Sequence, residues 1–349
     1  MLYIKIRGMK YKKELVEALK NKILASVDEH PNDLAQYSIE NLSISKATAL
    51  KYIDVLIKEK KLIRVGLGRY PSYSLPVTSK SFSFKITKDS SEEKIAVAAR
   101  SFVGELPYSA SQIFDYAFME ITNNAIEHSS AKKIKITIEK SATKIRAAIY
   151  DDGIGIFKKI KNDLGLQNES QALIELSKGK FTSSPQNHSG EGIFFSSKLC
   201  DAFYIDSDGL VFSPQAKEPE FIKKSRPKNG TMVVLTILID TKKVPKKIFD
   251  EFAGSDFDAP KFKTVAQLRF MQQEGLALTS RSQARRLLAR MEKFTSVTFD
   301  FEGVDFIGQA FADEIFRVYA KSHPNIKFEI ANAASGIKTM ISHVKNAEN

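Results

Sequence analysis

Phe118-Met-Glu-Ile-Thr-Asn-Asn-Ala-Ile-Glu-His128 places Glu120, Asn124 and His128 at successive steps of four. Residues four apart stack on one face of a helix, so a carboxylate, an amide and an imidazole share one stripe. Ile113, Phe114, Ala117, Ile121 and Ala125 fall on the other side and are expected to face a core. Taken alone, the stripe reads as the solvated face of an amphipathic helix. Its meaning turns on three glycine-containing segments further along the chain.

Asp151-Asp-Gly-Ile-Gly155 comes directly after Ile145-Arg-Ala-Ala-Ile-Tyr150, an apolar run that reads as a strand. His188-Ser-Gly-Glu-Gly-Ile193 precedes a helical pattern from Phe194 to Leu199. Asn229-Gly-Thr231 opens an apolar strand, Met232 to Ile239. Glycine permits tight turns and close backbone approach, and amides at a helix N-terminus bind phosphate. One Gly-x-Gly carries little weight. The helix and the three glycine segments, in this order, carry much more.

Together they resemble the GHKL ATP-binding family, which takes in gyrase, Hsp90, MutL, sensor histidine kinases and anti-sigma-factor serine kinases. The resemblance covers about residues 85–240. Glu120 and Asn124 match its Glu-x-x-x-Asn-Ala box, Asp151 to Gly155 its first glycine box, and Gly190-Glu-Gly192 its second. The Glu-x-x-x-Asn-Ala-x-x-His form is most similar to the anti-sigma serine-kinase branch. The resemblance implies a Bergerat-type α/β sandwich that binds ATP and Mg²⁺. Asn124 would be the magnesium ligand, since magnesium prefers oxygen and keeps several waters. Asp151 would accept a hydrogen bond from the adenine amino group. Gly153 and Gly155 would leave room for the base, Gly190 and Gly192 would present amides to the phosphates, and Thr231 would touch the adenine pocket. Glu120 matches the general base of the hydrolysing members. Whether ATP is hydrolysed, transferred or only sensed stays open at this level. The polar stretch of about 157–189 reads as a mobile flap over the phosphates, with Lys178 and Lys180 as phosphate contacts or simply solvated lysines. Ile193-Phe194-Phe195 replaces the commoner Leu-Gly after the second box.

The outer limits come from composition. With 349 residues, two or three domains fit, and 43% hydrophobic with 27% charged residues suits a soluble globular protein. No run approaches the roughly 18–20 apolar residues of a membrane span, so no membrane partner is expected. Met1 to Arg7 lacks a signal-peptide core. A lone cysteine, Cys200, excludes an internal disulfide and fits a reducing cytoplasm. With five scattered histidines it makes no structural zinc site. Of the net charge of +12, residues 1–80 supply +7, from 15 Lys and Arg against 8 Asp and Glu. A basic end is compatible with a polyanion partner.

That end, residues 1–78, reads as a winged helix-turn-helix. Lys13 to Glu29 has Leu15, Leu19, Ile23 and Leu24 at helical spacing. Ser38 to Thr48 reads as helix, turn and the start of a second helix capped by Ser45, which would bury Ala49, Ile53 and Leu56. Lys61 to Leu75 reads as two short strands around Gly66 and Gly68. Ile44-Ser-Lys-Ala-Thr48 followed by Leu56-Ile-Lys-Glu-Lys-Lys-Leu-Ile-Arg64 is similar to the bacterial winged-helix family. The resemblance implies DNA as partner, with Ser45, Lys46, Lys51 and Tyr52 on the recognition helix and Arg64 and Arg69 on the wing.

Beyond a Pro/Lys-rich connector at 241–262, residues 263–349 alternate helix and strand: a helix over 277–294 with Arg281, Arg285, Arg286 and Arg290, a strand at 297–301, a helix entered near 305–316, a strand at 326–330 and a last helix over 334–344. Parallel crossovers make this a small α/β layer. It resembles a STAS-like domain, which implies a protein partner. The serine that STAS antagonists phosphorylate is replaced here by Gly308-Gln309-Ala310, so modification at that turn is not expected. The arginine row is a partner or nucleic-acid surface, or a solvated face.

The fold class is thus a multidomain α/β and α+β chain. Two functions compete: an ATP-dependent switch coupled to DNA binding and transcriptional control, or a serine/threonine kinase of the partner-switching type acting on a separate protein. A sensor histidine kinase fits poorly, because no long dimerisation helix with an acceptor histidine precedes residue 118. Several GHKL members dimerise on binding ATP, which leaves an ATP-dependent homodimer open.

Overall fold

The computed structural model describes residues 2–66, 71–87, 90–179, 191–215, 229–253, 263–272 and 277–346. The chain divides into two compact units. One comprises Met1–Lys80, Ile138–Arg146 and Leu238–Asp240; the other comprises Ser81–Thr137, Ala147–Ile237 and Thr241–Asn349.

In the first unit, α1 (Leu2–Ser26), α2 (Leu34–Leu42) and α3 (Lys46–Lys58) precede an antiparallel hairpin of β1 (Ile63–Val65) and β2 (Ser72–Ser74). The α3 helix starts where its cap requires. Ser45 Oγ accepts a hydrogen bond from the Thr48 amide at 3.2 Å, satisfying one orphan donor of the first turn. Ala49, Ile53 and Leu56 are buried as their spacing demands. Ile53 and Leu56 share a core with Ile23, Leu24, Leu34 and Tyr73. Leu15 corrects the expected helical stripe: it is 53% exposed. Lys20 is buried instead, its ammonium 2.7 Å from Glu59 and 3.3 Å from Glu17. The hydrogen bond to Glu59 is the main reason its pKa lies above the usual lysine value.

The middle of the chain builds a six-stranded sheet. Its elements run β3 (Thr78–Lys85), α4 (Glu92–Val103), α5 (Tyr108–Glu127), β4 (Lys133–Lys140), β5 (Lys144–Asp151), α6 (Ile156–Leu164), α7 (Glu169–Lys178), α8 (Gly192–Leu199), β6 (Ala202–Ser207), β7 (Leu210–Phe212), β8 (Thr231–Leu238) and α9 (Pro245–Ala253). The strand order is β3-β4-β5-β8-β6-β7. Ile134, Ile136 and Ile138 are buried at alternate positions of β4, the period-two pattern of a sheet with one face on a core. The α5 helix packs against α4 and α8 and buries Ile113, Phe114, Ala117, Ile121 and Ala125.

One expectation is corrected here. The stretch of about 157–189 is not a flap throughout, because α6 and α7 occupy most of it; residues 180–190 lie outside the described ones. The connector at 241–262 contains α9, whose Phe249 packs on Tyr116 and Phe195 while Phe252 packs on Phe194.

The C-terminal layer comprises β9 (Lys263–Gln267), α10 (Arg269–Gln272), α11 (Arg281–Leu288), β10 (Ser296–Asp300), α12 (Gln309–Asp313), α13 (Ala320–Ser322), β11 (Lys327–Ala331) and α14 (Ser335–Asn346). A π-helical turn, Glu314–Tyr319, joins α12 to α13. The parallel sheet runs β11-β10-β9. The helix expected over 277–294 is shorter, confined to α11 and a 3-10 turn at Met291–Lys293. Its start is a capping box in which Ser280 and Gln283 each receive the other's backbone N–H. The core of this layer includes Phe299, Phe311, Ile315 and Ile337, and also Ile174 from α7.

Candidate nucleotide site

A cleft opens beside the C-terminal half of α5. Ile121, Ala125, Ile149, Ile156 and Val233 form its apolar walls, and Asn124, His128, Asp151, Lys159 and Thr231 are its polar groups. Such a pattern, mostly apolar with a few placed polar side chains, is typical of small-molecule sites.

Asp151 ends β5 and is 5% exposed. Burial pushes its carboxyl up to about 6, against hydrogen bonds from the Gly153 and Thr231 backbones that favour the charged form. The Gly153 amide donates to Asp151 Oδ1 at 3.0 Å. The turn after Asp151 is tied to the end of α5, since the Ile154 amide donates to the Ser129 carbonyl at 2.9 Å. Asp152 Oδ1 accepts from the Lys132 and Lys133 amides at 2.8 and 2.9 Å. Thr231 Oγ1 accepts from the Ile156 amide at 2.9 Å, linking β8 to the start of α6.

The glycines explain how these segments come so close. Gly230 has φ +78°, and a Cβ there would overlap the Asp151 carbonyl oxygen. A Cβ on Gly153 would overlap the Ser129 carbonyl oxygen. At Gly153 the missing side chain makes room for the chain's own backbone. Gly155, at φ +86°, N-caps α6 and lines the cleft. A Cβ on Gly192 would overlap the Glu120 carboxylate, so this glycine and Glu120 face each other. Ile193, next in the chain, lines the cleft. Burial, then the nearby Glu120 and Glu191 charges, raise the Tyr116 pKa.

Of the stripe read from the sequence, Asn124 and His128 line the cleft with Asp151, Gly155 and Thr231. Glu120 stands one turn back along α5, against Gly192. Lys180 and Gly190 lie outside the described residues.

Residues 111–241 match the family described as histidine kinase-, DNA gyrase B-, and HSP90-like ATPase, and residues 283–338 match a STAS-like domain of unknown function. The chain joins a GHKL ATPase domain to a STAS-like domain. A search of curated proteins finds no match. The ATPase match runs from α5 through β8 and so contains every wall of the cleft, and it implies nucleotide binding.

Lys159 is a cleft residue with no signature in the sequence motifs. It lies one helical turn after the Gly155 cap and pairs with Asp163 at 3.1 Å. Reading 157–189 as a flap hides that helical spacing. Lys178 is the opposite case, and its reading as a phosphate contact is corrected. It is 1% exposed and directed into the STAS-like layer. Its ammonium lies 2.6 Å from Glu175 and donates to the carbonyls of Ala289 and Arg286 at 2.9 and 3.3 Å. Burial lowers its pKa, opposed by Glu175.

The arginine row of the STAS-like domain is a solvated face that also carries ion pairs: Arg281, Arg285 and Arg290 keep exposed side chains. Arg281 pairs with Asp313 at 2.9 Å, Arg285 with Glu314 at 2.7 Å, and Arg290 with Glu175 at 3.5 Å. Among the residues read as DNA contacts, Ser45, Lys46, Lys51 and Arg64 are exposed, and the Ser45 hydroxyl is engaged as a helix cap. Tyr52 is half-buried against the N-terminal core, and Arg69 lies outside the described residues. No helix among the described residues is long and apolar enough to cross a membrane.

Proposed function

We propose that this chain is an ATP-binding regulatory switch in which the GHKL domain senses or hydrolyses Mg-ATP and the N-terminal unit binds DNA. The observation that carries the nucleotide reading is the cleft, with apolar walls around one buried carboxylate. Such walls suit a flat heteroaromatic base, and Asp151 suits its exocyclic amino group. At neutral pH, above its pKa of about 6, the carboxylate is ionised and accepts that hydrogen bond. Asn124 offers an amide oxygen and Lys159 a cation to the phosphate end. Magnesium would neutralise phosphate charge and orient the phosphates. Among the described residues no three acidic, His or Cys side chains cluster as a metal site, which suits an ion held by one amide oxygen, phosphates and water. Glu120, which abuts Gly192, would orient a water or hydroxyl nucleophile.

The DNA reading rests on three helices and a hairpin with Lys46, Lys51 and Arg64 exposed, the arrangement expected of a winged helix. An ATP-dependent homodimer accords with the family. A second reading, a serine/threonine kinase acting on a separate protein, draws on the same Glu120. The turn Gly308-Gln309-Ala310 before and into α12 carries no hydroxyl, which counts against self-modification there and leaves a separate protein as the substrate.

Incubation with ATP labelled at the γ-phosphate separates the two. DNA-stimulated phosphate release supports the switch, and transfer to another protein supports the kinase. Asn124→Ala is expected to abolish Mg-ATP binding in calorimetry; unchanged affinity refutes its role. Glu120→Ala is expected to retain binding and lose turnover.

A further inference from the structure

Lys178 ends α7 and reaches out of the ATPase domain into the STAS-like domain. Its ammonium meets the Arg286 and Ala289 carbonyls at the end of α11. Those carbonyls belong to the C-terminal turn of that helix, where acceptors have no intrahelical partner and a cation is favoured. Its own carbonyl accepts a hydrogen bond from Thr264 Oγ1 on β9. Glu175, one turn back, also meets Arg290 of the STAS-like domain, and Ile174 sits in its core.

The next residue faces the other way. Gly179, at φ +75°, lies so close to the Phe194 ring that a Cβ would overlap it. Phe194 belongs to α8, whose second residue, Ile193, lines the cleft and whose first, Gly192, abuts Glu120. A continuous run of packed groups therefore leads from α11 through Lys178, Gly179 and Phe194 to the cleft wall. Packed contacts of this kind transmit displacement because protein interiors are dense.

We propose that Lys178 is a positioning residue that couples nucleotide occupancy of the cleft to the STAS-like domain. The proposal rests on the nucleotide reading above. A nucleotide that seats Ile193 holds Phe194 against Gly179 and fixes the Lys178 ammonium on the end of α11. Coupling is reciprocal, so a partner that draws α11 away from Lys178 weakens nucleotide binding by the same factor.

Hydrogen exchange of the full chain, with and without a non-hydrolysable ATP analogue and Mg²⁺, tests this. In the natural chain the nucleotide is expected to slow exchange in 120–128, at the cleft, and also in 281–293, by about fivefold or more, the lower end of typical coupling. Lys178→Met should keep the slowing at 120–128 and lose it at 281–293. A Glu175→Gln/Lys178→Met chain, which leaves neither buried charge unpaired, should behave likewise, and its circular-dichroism melt verifies folding. Slowing at 120–128 without any at 281–293 in the natural chain overturns the coupling alone. Slowing at 281–293 that persists in a folded double variant overturns the role of Lys178. No slowing at 120–128 overturns the nucleotide reading and this proposal with it.

Discussion

Replacing Asp151 with Asn should make the protein more stable at neutral pH while impairing nucleotide binding. The side chain is 5% exposed, and burial raises its folded-state pKa from 3.8 to about 6. Because the folded value lies above the unfolded one, protonation favours the fold. That contribution is complete below 3.8 and is lost as pH rises through about 6. The gap between the two values, at about 1.4 kcal/mol per pH unit, amounts to about 3 kcal/mol of destabilisation once the carboxylate is ionised. Asn keeps an oxygen for the Gly153 amide and does not titrate. Urea unfolding should be followed by far-UV circular dichroism, since the chain has no Trp. The stability difference between the natural chain and Asp151→Asn should shift by roughly 2–3 kcal/mol between pH 4 and pH 7.5, with the natural chain the relatively weaker one at pH 7.5. Titrations of the other carboxylates cancel in that difference. A difference independent of pH would refute the reasoning, because it would mean that Asp151 does not ionise against its surroundings. The same variant should bind ATP about tenfold or more weakly, the loss expected for one charge-assisted hydrogen bond.

Gly230→Ala should destabilise the fold by about 2–4 kcal/mol, combining a left-handed backbone with overlap against a backbone oxygen; an unchanged urea midpoint would contradict the close approach of β8 to Asp151. Charge reversal at both Lys46 and Lys51 should weaken DNA binding at low salt and flatten its salt dependence, measured by fluorescence anisotropy. No change would make the N-terminal unit a protein-binding module.

Legibility follows the range of the interactions. The α5 helix, the Ser45 cap and the buried series Ala49, Ile53 and Leu56 are readable because period and capping are local. The cleft is readable because its parts carry short signatures at Asn124, Asp151–Gly155 and Thr231. β9 is not: its five residues pair in parallel with β10, some thirty positions further along, and its two buried positions are Thr264 and Ala266, which give little apolar signal. Lys178 misleads for a related reason. A buried lysine needs partners to satisfy it, and two of the acceptors for Lys178, the Arg286 and Ala289 carbonyls, lie more than 100 residues away. The arginines of α11 read as a solvated row and are one; only their pairing with Asp313 and Glu314, from a later segment, is hidden in the sequence.

The burial of α7 also bears on how the chain can be divided. The ATPase match ends at residue 241, which invites a truncated protein ending there. Such a fragment would leave Ile174 without the core it packs into and the Lys178–Glu175 pair without the α11 carbonyls and Arg290. A helix buried along most of its length would then face water with its apolar side. The match boundary is therefore not a folding boundary: the nucleotide-binding half should be insoluble or partly unfolded when expressed without residues 263–346, and the two halves should melt in one transition.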